Sequence, residues 1–252
     1  MDKNKKVGLA LGGGAALGAA HIGVLKALEE MDIKVDYISG TSIGALIASL
    51  YAFGRSWQEM KDIALELRWL DISALSLSKY GILSNKDMGE LLEKYIGNVT
   101  FEEADIPLAV IATNISTGEK VVLDKGPVAP AVMASTAIPG IFNPVKLKGK
   151  MLVDGGIVEN VPISPLKKMG AEYIIGVDLN AKYANEDPSN IIEILLNSFN
   201  FTLMTAAKIQ TQQADALIKP DLATFSKVNI NQTEGLLEAG HQEAKNVLNP
   251  TS

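Results

Sequence analysis

Apolar residues recur along this chain in two alternating rhythms. Val7 to Leu11 is a short unbroken apolar run of the buried-strand kind, and it stops at Gly12-Gly13-Gly14. Ala19 to Met31 then carries apolar side chains at helical spacing, through Ile22, Leu25 and Leu28. The same order returns at once, with Tyr37 to Ser39 as a strand, Gly40-Thr41-Ser42-Ile43-Gly44 as a tight turn and Ala45 to Phe53 as a helix. Helices are expected over Ser56 to Leu70 and from Ser84, where Ser84-Asn85-Lys86-Asp87 has the form of a capping box. Leu108 to Ile115 and Lys120 to Leu123 predict a hairpin about Ser116-Thr117-Gly118-Glu119. Val145 to Val153 predicts a second hairpin about Lys148-Gly149, whose outgoing strand delivers Asp154. Tyr173 to Leu179 reads as a strand buried on both faces, and Ser189 to Gln213 as a long helix with few charges in its middle. Strands alternating with helices imply an α/β fold with a mostly parallel central sheet covered on both faces.

Composition narrows the function. With 252 residues and 47% apolar content a sizeable core is available, and one domain over residues 1–252 is expected. Lys and Arg number 23 against 29 Asp and Glu, a net charge of −6, which argues against a nucleic-acid partner because phosphate contacts need a basic face. Cysteine is absent, so thiolate chemistry, disulfides and Cys-based metal sites drop out. The two histidines are far apart and the carboxylates scattered, which leaves no recognisable metal-ligand spacing, and no cofactor is expected.

The basic start followed by VGLALGGGAALGAAHIGVL superficially mimics a signal peptide, but a Gly-Gly-Gly run is a poor apolar helix and the pattern continues unbroken into AAHIGVLKALEE. The uncharged stretch from Tyr37 to Gly54 contains glycines and hydroxyls, and the one from Gly126 to Val145 contains four prolines, so neither reads as a bilayer span. A cytoplasmic protein is expected, with peripheral contact to a membrane surface if its substrate is a lipid.

Chemistry concentrates in three short motifs. Gly40-Thr41-Ser42-Ile43-Gly44 has the form of a nucleophile elbow, where a serine on a sharp strand-to-helix turn needs small neighbours two positions away. The helix that follows adds a favourable dipole for a developing oxyanion. Gly12-Gly13-Gly14-Ala15-Ala16-Leu17-Gly18 leads into a helix, so its free N–H groups can converge on negative charge as an oxyanion hole, or the loop is simply a tight connection. Asp154-Gly155-Gly156 puts a carboxylate at a strand end before a flexible turn. Alone each motif is weak. Together they supply a serine, a base and oxyanion donors.

The blocks LALGGGAALGAAHIGVLKALEE, GTSIGAL, ASTAIPGIFNPV and LVDGGIVENVPISPLKKMGAEYIIGVDL stand in the order and approximate spacing of the bacterial patatin-like phospholipases, which the chain resembles over nearly its whole length. The resemblance implies a three-layer α/β/α fold and a serine lipid acyl hydrolase that cleaves fatty acyl esters of phospholipids, lysophospholipids or related lipids. It assigns Ser42 as nucleophile, Asp154 as base and the backbone of Gly12, Gly13 and Gly14, together with Ile43, as oxyanion donors; Gly18, Gly40, Gly44, Gly155 and Gly156 are motif glycines. Two departures stand out, since the family loop commonly has glycine where Ala15 stands and Arg or Lys where Leu17 stands. Loss of that cation would weaken support for an anionic head group, and Leu17→Arg would restore it.

Several alternatives stay open on sequence alone. Gly12, Gly14 and Gly18 make a Gly-x-Gly-x-x-x-Gly spacing with Asp36 downstream, the pattern of a nucleotide-binding oxidoreductase, although no Tyr-x-x-x-Lys pair accompanies it. A patatin-like scaffold of weak or no activity, acting as an interaction module, is the other. His21 is expected to satisfy local backbone groups. His241 completes the order Ser42…Asp154…His241 of a hydrolase triad, but GLLEAGHQEAKNVL reads as a surface helix and disfavours that role. Ile191 to Phe201 is apolar enough to be core, to face an acyl chain or to form a homo-oligomer contact.

Overall fold

A computed structural model describes residues 5–66, 86–180, 191–225 and 232–249. The strands are β1 (Val7–Leu11), β2 (Tyr37–Thr41), β3 (Leu108–Asn114), β4 (Lys120–Leu123), β5 (Val145–Leu147), β6 (Lys150–Asp154), β7 (Tyr173–Val177) and β8 (Ala216–Ile218). Among the described residues they form one eight-stranded sheet whose pairing runs β5-β6-β3-β2-β1-β7-β8, with β4 also paired to β3 and with β2 and β6 meeting successive stretches of one edge of β3. β3, β2, β1, β7 and β8 run parallel. β4 and β6 pair antiparallel with β3, and β5 pairs antiparallel with β6.

Alternation along the strands separates two cores. Val7, Leu9 and Leu11 of β1 and Ile175 and Val177 of β7 point into the larger one, which is covered by α1 (Ala19–Glu30), α2 (Ile43–Ala52), α5 (Val128–Ser135) and α8 (Thr233–Leu248). Ala10 and Ile174 point the other way, against Ile163 and Leu166 of α6 (Ile163–Met169) and Ala207 of α7 (Ile191–Gln210). Helices therefore cover both faces of a mostly parallel sheet, as the strand pattern implied.

Most expected boundaries hold within a few residues. The Lys148-Gly149 hairpin closes with both residues at positive φ, 50° and 75°, as a two-residue turn matched to strand twist requires. The helix expected over Ser56 to Leu70 is described as α3 (Trp57–Glu66); residues 67–70 lie outside the described residues. Its capping box is at Ser56, whose Oγ accepts from the Glu59 N–H while Glu59 accepts from the Ser56 N–H. The box proposed at Ser84 lies outside the described residues, and α4 is described over Lys86–Ile96.

The C-terminal helix departs from expectation, because α8 is a packed helix rather than a surface one. Leu236, Leu237, Gly240, His241 and Ala244 are buried on α1. The helices meet backbone to backbone: a Cβ on Gly240 would lie 2.0 Å from the Ala20 carbonyl oxygen, and one on Gly23 1.9 Å from that of Leu237. Among the described residues no helix is long and apolar enough to cross a membrane.

Candidate active site

Ser42 joins β2 to α2 with φ 55° and ψ −126°, a conformation that costs an L-residue about 1–3 kcal/mol and persists only where its surroundings enforce it. The surroundings do enforce it. A Cβ on Gly44 would lie 2.1 Å from the Leu11 carbonyl oxygen, and one on Gly40 2.4 Å from that of Gly44, so the turn closes only with glycine at both places. The Ser42 N–H donates to Ser135 Oγ (2.8 Å), and the Ser135 hydroxyl donates to the Ile111 carbonyl (2.6 Å), tying the elbow to β3. Ser42 is only 8% exposed.

Strand register brings the carboxylate to it. β4 runs along one edge of β3 opposite Val110 to Thr113, so β2 and β6 share the other edge. Thr41, the last residue of β2, is opposite Ile111, and Asp154, the last of β6, is opposite the next residue, Ala112. The antiparallel strand thus delivers Asp154 where β2 turns away at Ser42. The backbone of Asp154 is fixed by donation to the Ala137 carbonyl (2.9 Å) and by acceptance from Thr113 Oγ1 (2.8 Å). Its Oδ1 accepts from the Gly156 N–H (2.8 Å), while Oδ2 is buried with no hydrogen-bond partner among the described residues. Burial pushes the carboxyl up to about 7, against the opposing pull of the Gly156 N–H and of the Ser42 hydroxyl, which is close enough to act on the carboxylate although the two make no hydrogen bond of ordinary geometry.

The glycine loop passes directly over Ser42, since a Cβ on Gly13 would lie 3.2 Å from Ser42 Cβ. Its donors are distributed differently from expectation. The Gly12 N–H donates to Val177 (3.1 Å), continuing the sheet ladder, and the Gly13 N–H donates to both Asn160 Oδ1 (3.1 Å) and the Asn160 carbonyl (3.3 Å). Neither is free to receive an oxyanion, which corrects their assignment as donors. The N–H groups of Gly14, Ala15 and Ile43 donate to nothing among the described residues. Ala15 takes φ 50°, so an alanine does occupy the left-handed conformation for which glycine is the usual choice.

Leu17 does not face the site. It is fully buried in the larger core, so a cation there would be a desolvated charge and not a head-group contact. This overturns the reading of Leu17→Arg as a restored head-group site. His21 donates from Nε2 to the Gly12 carbonyl (2.7 Å), and burial depresses its pKa to about 4, which keeps the ring neutral at physiological pH. His241 Nε2 pairs with Glu30 (2.8 Å) and makes no bond to Ser42 or Asp154. Asp36 accepts from the Val7 N–H (2.9 Å) at the start of β1, whereas the glycines follow its end, about 16 Å along a five-residue strand. That placement removes the dinucleotide reading, which needs the acid beside the glycine loop.

Ser135, Asn160 and Asn180 escaped the motif reading. Each is a buried polar residue next to an apolar run, a signal that becomes legible only once burial is known.

The sequence profile of the family described as "Patatin-like phospholipase" matches residues 9–167. The chain belongs to the patatin-like phospholipase family. An uncharacterized NTE family protein of Mycobacterium tuberculosis is 36% identical over 188 residues, covering 73% of this chain and 51% of that protein. A lysophospholipase NTE1 of Scheffersomyces stipitis is 34% identical over 186 residues, 71% of this chain and 12% of its own length. The chain therefore spans about half the length of the mycobacterial relative and a small part of the fungal one. Among solved structures, VipD from Legionella pneumophila superposes with a TM-score of 0.63 at 16% identity, over 97% of this chain and 66% of VipD. ExoU of Pseudomonas aeruginosa, in its complex with SpcU, gives 0.51 at 17% identity, over 98% of this chain and 51% of ExoU. The two structures share the patatin-like fold with this chain, and Ser42, Asp154 and the glycine loop all lie inside the family-matched residues.

Proposed function

We propose that this chain is a single patatin-like hydrolase domain that cleaves fatty acyl esters of phospholipids or lysophospholipids through a Ser42–Asp154 dyad. The observation that carries the reading is the register on β3, which puts a buried carboxylate at the next position along the edge from the nucleophile elbow. Ser42 Oγ attacks the acyl carbonyl carbon while Asp154 accepts the hydroxyl proton, and the developing oxyanion is received by the Gly14, Ala15 and Ile43 N–H groups. Collapse expels the alcohol, which takes the proton back from Asp154. Water, activated by the same carboxylate, then releases the fatty acid from Ser42.

Lipid as the substrate class is supported by the family and by the name of the fungal relative. It is also supported by α7, whose Leu203 packs on Gly156 and whose Leu195 lies against Gly140, and which exposes Ile194, Leu195 and Phe201. An apolar face beside the dyad suits an acyl chain drawn from a membrane surface, met from the cytoplasm. The same face would also suit a homo-oligomer contact.

The test is fluorophosphonate labelling with peptide mapping. Label is expected on Ser42, and Ser42→Ala should lose both the label and p-nitrophenyl ester turnover. Ester turnover that survives Ser42→Ala would sink the Ser42 assignment, whereas a wild-type chain inert towards acyl esters and towards fluorophosphonate would leave the scaffold as an interaction module.

A further inference from the structure

A glycine-rich loop has no side chains with which to hold itself still, so whatever aims its N–H groups must come from elsewhere in the chain. Three buried side chains reach it here. His21 Nε2 donates to the Gly12 carbonyl (2.7 Å), Asn160 Oδ1 accepts from the Gly13 N–H (3.1 Å), and Asn180 Nδ2 donates to the Gly13 carbonyl (2.7 Å). In a trans peptide the C=O and N–H of one plane point in opposite directions, so each bond orients a whole peptide group. The Gly12–Gly13 peptide is held at both ends, by His21 and by Asn160. Among the described residues the Gly13–Gly14 peptide is held at its carbonyl alone, by Asn180, and its N–H is the first in the loop with no acceptor. Asn180 is fully buried just beyond β7, and its own N–H is tied to Asp178 Oδ1 (3.0 Å).

We propose that Asn180 is a positioning residue for acyl transfer: its bond to the Gly13 carbonyl fixes the Gly13–Gly14 peptide with the Gly14 N–H turned towards Ser42, ready for the oxyanion before substrate arrives. The proposal rests on the hydrolase reading above. Without that bond the peptide can rotate, and a donor that points correctly only part of the time stabilises the transition state less. The oxyanion exists only in the transition state, so the loss falls on kcat and spares KM.

The variants are Asn180→Leu, close in size and without a donor, and Asn180→Asp, which turns an acceptor towards the carbonyl. Each is assayed in the full chain, with kcat expressed per site titrated to completion by fluorophosphonate. Both should lose about 10- to 100-fold in kcat per titrated site, with KM within about twofold of wild type. A merely structural role would lower the melting temperature and the titrated fraction while leaving kcat per site unchanged, and that result in either variant overturns the proposal. Should neither variant fold, 15N relaxation on the wild-type chain decides: Gly14 should show an order parameter near the ~0.85 of rigid backbone, and a value below about 0.6 overturns the proposal. A wild-type chain that takes no label would remove the hydrolase reading, whereas the Gly14 order parameter reports on the clamp by itself.

Discussion

Ala15 shows how much one side chain reveals about a loop. At φ 50° an L-residue lies about 1–2 kcal/mol above its right-handed alternative, and glycine escapes that penalty. Ala15→Gly should therefore stabilise the fold by roughly 1 kcal/mol, less the entropy that a more flexible unfolded chain gives back. Urea denaturation measures it, and a clear loss of stability would show that the conformation carries no strain. Turnover should hold or rise, because the Ala15 N–H stays in place. Leu17, two residues on, teaches the reverse lesson. The family's usual residues there suggested a contact with the substrate head group, but the side chain lies in the core. A motif position gives residue type and not direction.

Elements with a local cause were legible in the sequence. The short apolar strands, the Lys148-Gly149 turn and the Gly40 to Gly44 elbow follow from side-chain period and from sterics that involve near neighbours. What stayed hidden depends on distant partners. The Gly13 N–H meets Asn160, 147 positions away, so no local pattern could reveal that it is already occupied. Likewise α8 looked like a surface helix because its two glycines dilute the apolar stripe, yet Gly240 against Ala20 is what lets it approach α1 so closely. That approach explains His241 as well: it is buried in the α1–α8 contact and paired with Glu30. His241→Ala is accordingly expected to leave kcat/KM within about twofold of wild type, since residues that act as a catalytic unit fail together and this one is outside the unit. A His241→Ala variant as inactive as Ser42→Ala, yet folded by circular dichroism, would replace the dyad with a triad.

For the molecule as a whole, the proposed catalytic carboxylate works against the stability of the fold, and pH exposes the conflict. Burial pushes the Asp154 carboxyl up from its ordinary 3.8 to about 7 in the folded chain, because it disfavours the charged form. Between those two values the folded chain keeps a proton that the unfolded chain has released. Stability contributed by this group is therefore full below about pH 4 and declines as pH rises, being lost above about pH 7. The difference corresponds to a few kcal/mol, on the order of 1.4 per pH unit across the window. Under the proposed dyad catalysis runs the other way, because Asp154 can accept the Ser42 proton only as a carboxylate. In the free enzyme kcat/KM should accordingly fall on the acid side with an apparent pKa near 7. Asp154→Asn separates the two effects. It keeps the shape and an acceptor for the Gly156 N–H but can neither ionise nor take a proton, so turnover should drop on the order of a thousandfold on the plateau above pH 7, with the gap to wild type narrowing as pH falls. Its stability relative to wild type should rise from about pH 4 to about pH 7 and level off above that, as read from urea midpoints and m-values. A stability difference that does not vary with pH would mean that Asp154 is not held desolvated, and a wild-type acid limb near pH 4 would say the same from the kinetic side. If both trends appear together, the carboxylate that weakens the fold at neutral pH is the group that makes Ser42 a nucleophile.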